Sequence, residues 1–474
     1  MLRRRKFSWL IVIGLFLTLV GNGSINHAVG APTRYEITHR RKLADGLWVK
    51  WIRDNQRPNR IKVLTLNPSS ALTLDVALAN GRLPGRETTR SMARRHGAIA
   101  AVNGTFGLPW GRPIGIFVED SFIKASPLLW GNGFALSQDE QAAYIGHPNA
   151  RVTMTGTGDG SKSVIWAWNE PGLPPAPLLG YTKEGGRFAS PPGNACSARL
   201  IDQGIASWGE NNDGVQREYQ VDDVGCADTP MPRAGGTVIS APLGSRLIDR
   251  ITALQEGQLV QLTWSVGWPG ALDAIAGNPV LVADGRNVAY ECPNPFCQKN
   301  PRTGIGVTRS GRILLVTVDG RQPRRSRGMT LWEFARFFRI LGATEARNLD
   351  GGGSTTMVVN GSVINMPSDP GGQRAVSSSI LIVPGSDSGE PPVLPHIPTA
   401  GSSPLSPADP VDTRRPVASF FGPRAERDAA VRDAGSTGGL LDALSRRRSQ
   451  TGRHGLAPSL LRIAERFEAF RTRD

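Results

Sequence analysis

The sequence predicts a mixed α/β (α+β) protein. The expected fold is one large domain with a mixed β-sheet, a strand-helix-strand unit carrying the candidate site, and helices packed on the sheet, followed by a disordered linker and a short helical tail. Three observations carry that expectation. Ile313 to Val318 is an almost uninterrupted apolar run, β-branched in its second half, as in a strand buried on both faces, and it stops at Asp319-Gly320-Arg321. Thr330 with Glu333 forms a capping-box pattern, Phe334, Phe338 and Leu341 share one helical face, and Gly342 stands where the helix would stop. A second strand-like run starts at about Glu345 and ends at Asp350, so strand, helix and strand describe a right-handed crossover between parallel strands. If these strands are neighbours, Asp319 and Asp350 share the carboxyl-end edge, where open α/β sheets bind ligands.

Taken from the N-terminus, Arg3-Arg4-Arg5-Lys6 precedes an apolar run from Phe7 to Val20, and Ala28-Val29-Gly30-Ala31 supplies small residues for cleavage. About fourteen apolar residues is short against the roughly twenty needed to span a bilayer, which favours a secretory signal over residues 1–31 above an uncleaved membrane anchor. Residues 32–384 are expected to form the folded domain, because the motifs spread from Asn103 to Arg374 in a chain of 474 residues. Within it, Arg151 to Arg233 reads as a loop-rich insertion or lobe. Thr356 to Val359, Asn360-Gly361 and Ser362 to Asn365 give the clearest hairpin, since Asn-Gly suits a two-residue type I′ turn. Residues 385–416, rich in Pro, Ser and Gly, read as a linker. In the basic tail, 417–474, Leu460, Ile463, Ala464, Phe467 and Phe470 follow helical spacing, an amphipathic face for its own domain, a partner or a membrane surface.

Hydrophobic content of 39% and charged content of 20% exclude a membrane bundle and wholesale disorder. The net charge of +15 lies partly in the signal and partly in the arginine runs of the tail, and no nucleic-acid-binding signature accompanies it. No nucleic-acid partner is expected. Attraction of the basic tail to an anionic cell-wall polymer or membrane surface is. For the four cysteines, the local pairs Cys196–Cys226 and Cys292–Cys297 are the simplest of three pairings in an oxidising compartment. Zinc is the weaker alternative, because the spacings lack paired Cys-x2-Cys knuckles.

The most chemical segment is Asp350-Gly351-Gly352-Gly353-Ser354-Thr355-Thr356. Adjacent glycines lose backbone entropy, a cost accepted where a turn needs positive φ or a ligand approaches the main chain. Exposed N–H groups in such a loop would suit an anion. A tight structural turn is the plainer alternative.

Asn300-Pro301-Arg302-Thr303-Gly304-Ile305-Gly306, Val318-Asp319-Gly320-Arg321, Gly328-Met329-Thr330-Leu331, Asn348 to Thr355, Met366-Pro367-Ser368-Asp369 and Arg374-Ala375-Val376-Ser377 resemble, in order and spacing, the phosphodiester glycosidase family. The match is dense between residues 276 and 383 and looser upstream, at Ala101 to Phe106. Asn300 stands where many relatives have His, which puts a role for that imidazole in doubt. The resemblance implies a hydrolase that cleaves a glycosyl 1-phosphodiester at the anomeric carbon, with no required cofactor and a Ca²⁺ or Mg²⁺ ion left open; together with the N-terminal signal it leads to the expectation of an exported enzyme acting on an envelope glycan or exopolysaccharide.

Chemistry and resemblance together nominate the site. Such cleavage expels a phosphate monoester, so cations and backbone donors matter more than a strong general acid, while a carboxylate attacks the anomeric carbon or activates water. Asp350 is the candidate nucleophile or base, Asp319 its partner and Arg302 the phosphate clamp, with Arg374 a second clamp. Asn103, Gly104, Thr303, Arg321 and the Gly351, Gly352, Gly353 backbone would bind sugar or phosphate oxygens, with Ser354 and Thr355 as further donors. Two rivals remain open: a glycan-binding module without turnover, and a metal-assisted phosphodiesterase holding Ca²⁺ or Mg²⁺ on Asp319 and Asp350.

Overall fold

The structure, a computed structural model, describes residues 34–385 apart from 69, 127–132, 138–142, 156–159, 166, 171–176, 189–192, 210–213 and 227–235. The expected signal, the basic tail and all but the first residue of the linker lie outside the described residues. Among the described residues strand accounts for 51% and helix for 10%, in several sheets and a nearly closed barrel, which corrects the mixed α/β expectation. That expectation extrapolates from the segment around the helix. Elsewhere Val215 to Asp222 alternates buried with more exposed residues at period two, and both Leu47–Asp54 and Val215–Gly225 pair as antiparallel ribbons. Arg151 to Arg233 likewise contributes strands to an eight-stranded sheet whose own core holds Trp168 and Trp264, and is not merely loop.

The site-bearing sheet has eight strands, in the order Tyr35–Ala44, Leu47–Asp54, Asn59–Leu66, Ile313–Val318, Arg302–Thr308, Ala343–Asn348, Val280–Ala283 and Arg286–Asn287. Every neighbouring pair in it is antiparallel. The crossover strands are therefore not adjacent: Arg302–Thr308 lies between Ile313–Val318 and Ala343–Asn348. The edge argument survives in altered form, because Arg302 pairs with Val318 and Gly304 with Asn348, which brings Arg302, Asp319 and Asp350 to one end of the sheet. Two strand spacings separate the main chains that carry the two carboxylates, about 10 Å.

The helix Leu331–Ile340 begins at the expected capping box, with the Thr330 hydroxyl accepting from the Glu333 N–H and the Glu333 carboxylate accepting from the Thr330 N–H. Gly342, at φ +88°, ends it as expected. Its Phe334 and Phe338 rings sit on the bare faces of Gly304 and Gly306, where an added Cβ would come within 2.8–3.0 Å of ring carbons. The glycines of the central strand are thus a seat for two aromatics. On the opposite face, Ile305, Ile313 and Leu315 pack with Val102, Met357 and Ile380 of a five-stranded sheet. That second sheet contains the expected hairpin, Val359 opposite Ser362 with Asn360 and Gly361 both at positive φ.

Both expected cysteine pairs are bonded, Cys196–Cys226 and Cys292–Cys297. Closing loops of 30 and 5 residues stabilises the fold by about 4 and about 2 kcal/mol in the chain-entropy account. Denatured without reductant, the protein should show no free thiol to a thiol reagent; stoichiometric thiols would overturn the pairing. No helix among the described residues is long and apolar enough to cross a membrane. The disulfides are consistent with an extracytoplasmic compartment.

Candidate active site

Asp350 is positioned by main-chain and side-chain contacts from two distant segments, Asn103–Gly104 and Thr303. Leu349 donates its N–H to Thr303 O at 2.9 Å and Asp350 its own to Gly104 O at 3.1 Å. The Asn103 side-chain amide donates to Asp350 O at 2.7 Å, while its Oδ1 accepts from the Thr303 hydroxyl at 2.7 Å and the Thr356 N–H at 3.0 Å. Asn103 and Thr303 are fully buried, so they fix the aspartate rather than offering groups to solvent.

The glycines behind Asp350 are explained by crowding. A Cβ on Gly351 would lie 2.8 Å from Pro301 O, one on Gly352 (φ +60°) 2.9 Å from an Arg321 nitrogen, and one on Gly353 2.2 Å from both Arg374 and Asp369. The loop's N–H groups are largely engaged: Gly351 donates to Asp350 Oδ1, Gly352 to Pro301 O, Ser354 to Gly351 O and Thr355 to Gly352 O. The loop therefore acts less as an open anion cradle than as a thin wall against which two arginines lie. Arg374 forks onto Asp369 at 2.8 and 3.1 Å, and Arg321 reaches Asn300 Oδ1 at 3.1 Å. Asn300 thus holds an arginine where the resemblance suggests an imidazole.

Burial raises the Asp350 carboxyl to about 6, against the opposing pull of the Ser354 hydroxyl, the Arg374 charge and the Gly351 N–H. A carboxylate poised there changes charge close to neutral pH, the property expected of a base or nucleophile.

The other two nominated catalytic residues sit in different surroundings. Asp319 is fully buried; its Oδ2 accepts from Lys62 Nζ at 2.7 Å and its Oδ1 from the Met366 N–H at 3.1 Å. A cation bridging Asp319 and Asp350 would have to displace Lys62, and among the described residues no group of three or more His, Cys, Asp or Glu is arranged to hold a metal ion. Arg302, also buried, donates through Nε to Met329 O at 2.9 Å and through Nη2 to Phe296 O at 2.6 Å and Gln298 O at 2.7 Å. It pins the Cys292–Cys297 loop to the sheet. Burial lowers its guanidinium to about 9, with Tyr290 opposing, which still leaves it charged at neutral pH.

Lys62 was not nominated from the sequence, although a lone lysine in the buried run Ile61-Lys62-Val63-Leu64 is a signal for a charged partner in the interior. A second omission is a set of hydroxyls at the same end of the paired sheets. The hydroxyl oxygens of Thr105, Thr356, Ser377 and Ser378 are buried and have no hydrogen-bond partner among the described residues, as does that of the nominated Thr355. Ser378 abuts Gly104 and Ser377 abuts Gly107. The sequence signal is the triplet Ser377-Ser378-Ser379 leading into an apolar strand. Unpaired buried hydroxyls call for an explanation, and a hydroxyl-rich ligand supplies one.

Comparison with known proteins follows this geometry. A stretch is 46% identical over 68 residues to the N-acetylglucosamine-1-phosphodiester alpha-N-acetylglucosaminidase of Mus musculus, covering 14% of this chain and 13% of that protein. The SPbeta prophage-derived uncharacterized protein YomE of Bacillus subtilis (strain 168) is 42% identical over 84 residues, 18% of this chain and 13% of that one. The chain's match thus spans only about an eighth of either relative's length. Among solved structures, a hypothetical protein from Synechocystis shares the fold at a TM-score of 0.54 and 22% identity, over 72% of this chain and 62% of that one. Residues 211–383, which include Asp319, the glycine loop and Arg374, match the family profile described as phosphodiester glycosidase, so this part of the chain is similar to that family.

Proposed function

We propose that the protein is an exported hydrolase that cleaves a glycosyl 1-phosphodiester at the anomeric carbon, releasing free sugar and a phosphate monoester, with an envelope or extracellular glycan as substrate. The observation that carries this reading is Asp350, a carboxylate raised to about 6 at a buried sheet end, in the segment that matches the family. Once ionised, Asp350 attacks the anomeric carbon or takes a proton from water, and its charge stabilises the oxocarbenium character that develops there. The departing phosphate carries the electron pair of the broken C–O bond. In this reading Arg374 and Arg321, which lie against Gly353 and Gly352, hold that charge, and Arg302 supports the loop behind them. The hydroxyls of Thr105, Thr355, Ser377 and Ser378 supply partners for sugar oxygens, and Asp319 holds the wall through Lys62 and Met366.

Product analysis tests the assignment. A synthetic glycosyl 1-phosphodiester incubated in ¹⁸O-water should yield free sugar labelled at the anomeric oxygen and unlabelled phosphate monoester. Sugar 1-phosphate, with label on phosphorus, would instead mean P–O cleavage, and absence of turnover would favour a binding module.

A further inference from the structure

A groove of about 430 Å³, within the size range of small-ligand sites, lies on the flank of the same sheet. It is lined by Arg53, Arg57, Arg60, Arg324 and Arg325, with Asp54 as its acidic member. Three of these charges are already balanced. Asp54 pairs with Arg34 at 3.0 Å, Arg53 with Glu36 at 2.6 Å, and Arg57 with Glu333. Arg60, Arg324 and Arg325 have no carboxylate partner among the described residues, and Arg324 and Arg325 are exposed. Like charges gathered this way repel, a cost removed when an anion enters between them. Arg60, Arg324 and Arg325 all line this one groove, and burial, Arg325 and Arg60 each lower the Lys62 ammonium of the same strand as Arg60, against the pull of Asp319.

The arginines stand on a fixed frame. The Ser326 hydroxyl accepts from the Arg60 N–H at 3.0 Å and donates to Asp319 O at 2.5 Å; Arg327 N–H reaches Pro58 O at 2.8 Å, and Gly328 N–H reaches Asn59 Oδ1 at 2.9 Å. Gln322 and Ser326 close a tight turn that carries Arg324 and Arg325 at its tip. The turn also joins groove to site. Arg321, against Gly352, precedes Arg324 by three residues, so their Cα atoms are within about 11 Å of one another.

We propose that Arg60, Arg324 and Arg325 form a second phosphate subsite, which takes a neighbouring phosphate of the same substrate, so that the preferred substrate is a chain of repeating glycosyl phosphodiesters and not a single linkage. This inference rests on the hydrolase reading for what happens at Asp350 but not for the binding itself. A phosphate-bearing chain suits three guanidiniums that line one groove, since guanidiniums recognise phosphate oxygens by paired N–H donation. No aromatic side chain lines the groove to stack a base, which sets nucleic acid aside as the occupant.

The test uses the full chain and the double variant Arg324→Gln/Arg325→Gln, whose side chains are exposed and whose fold circular dichroism can check. Inorganic tripolyphosphate titrated by calorimetry should bind the variant about tenfold or more weakly, with a salt dependence shallower by about two charges. Against substrates, kcat/KM on an oligomeric glycosyl phosphate chain should fall about tenfold further than on a single phosphodiester, chiefly through KM. Equal tripolyphosphate affinity in both proteins, or equal losses on both substrates, would overturn the subsite. Tighter binding of an RNA oligonucleotide of matched charge than of the glycosyl phosphate chain would also overturn it. No turnover on either substrate, with arginine-dependent tripolyphosphate binding intact, would sink the hydrolase reading and leave the anion site standing.

Discussion

Asp350→Asn is expected to lower kcat by at least about a hundredfold, the usual cost of removing a catalytic base, while making the fold more stable above pH 6. The second half follows from the direction of the shift. Burial raises this carboxyl from 3.8 to about 6 in the folded protein. Between those values the native state holds a proton that the unfolded chain has lost, so stability declines as pH rises through that window and stays lower above it. A shift of about two units corresponds to about 3 kcal/mol, and partial solvent access to Asp350 reduces this to about 1–2 kcal/mol. Asparagine carries no charge and avoids the cost. Urea denaturation at pH 4 and pH 8 should therefore give variant and parent similar stability at the lower pH and a more stable variant at the higher. The parent's kcat should fall below about pH 6 as Asp350 is protonated. Full turnover by a folded Asp350→Asn protein would remove the residue from the mechanism, and a gain independent of pH would show that its charge is not what costs stability.

Lys62→Met should be the most damaging of the single changes considered, at about 3–5 kcal/mol, because it leaves Asp319 buried with its charge unbalanced. Desolvation is already felt at this pair: burial lowers the Lys62 ammonium even though the Asp319 charge supports it. Asp319→Asn in the same background removes the orphaned charge and keeps Oδ1 as acceptor for the Met366 N–H, so the double variant should recover most of the loss. The pair also decides the role of Asp319. Recovered stability with recovered turnover makes it a structural anchor of the loop that ends in Arg321; recovered stability without turnover means that its carboxylate takes part in the chemistry.

The segment from Ile313 to Gly361 was legible in detail because its signals are local: a capping box spans four residues, an Asn-Gly turn two, and a buried strand one apolar run. The sheet order was not legible, since nothing local to Ile313–Val318 or Ala343–Asn348 announces that Arg302–Thr308 will lie between them. That placement depends on Gly304 and Gly306 leaving room for Phe334 and Phe338 across the sheet, a match of shapes between strand and helix. The site behaves likewise. Asp350 stands out from its own neighbours in sequence, whereas Lys62 and the Ser377 and Ser378 hydroxyls acquire meaning only when residues some 250 positions away arrive beside them. Arg302 shows the converse, a residue type suited to phosphate that is instead engaged with three carbonyl groups of its own chain.

Asn103 bonds to groups 200, 247 and 253 residues away in the chain. Contacts of such span close large loops of disordered chain and form slowly relative to hairpins and helix turns. The amide that fixes the main chain at Asp350 can engage only after both facing sheets have found each other. In refolding, strand content should accordingly return first, with catalytic competence appearing after it, as the final long-range closure.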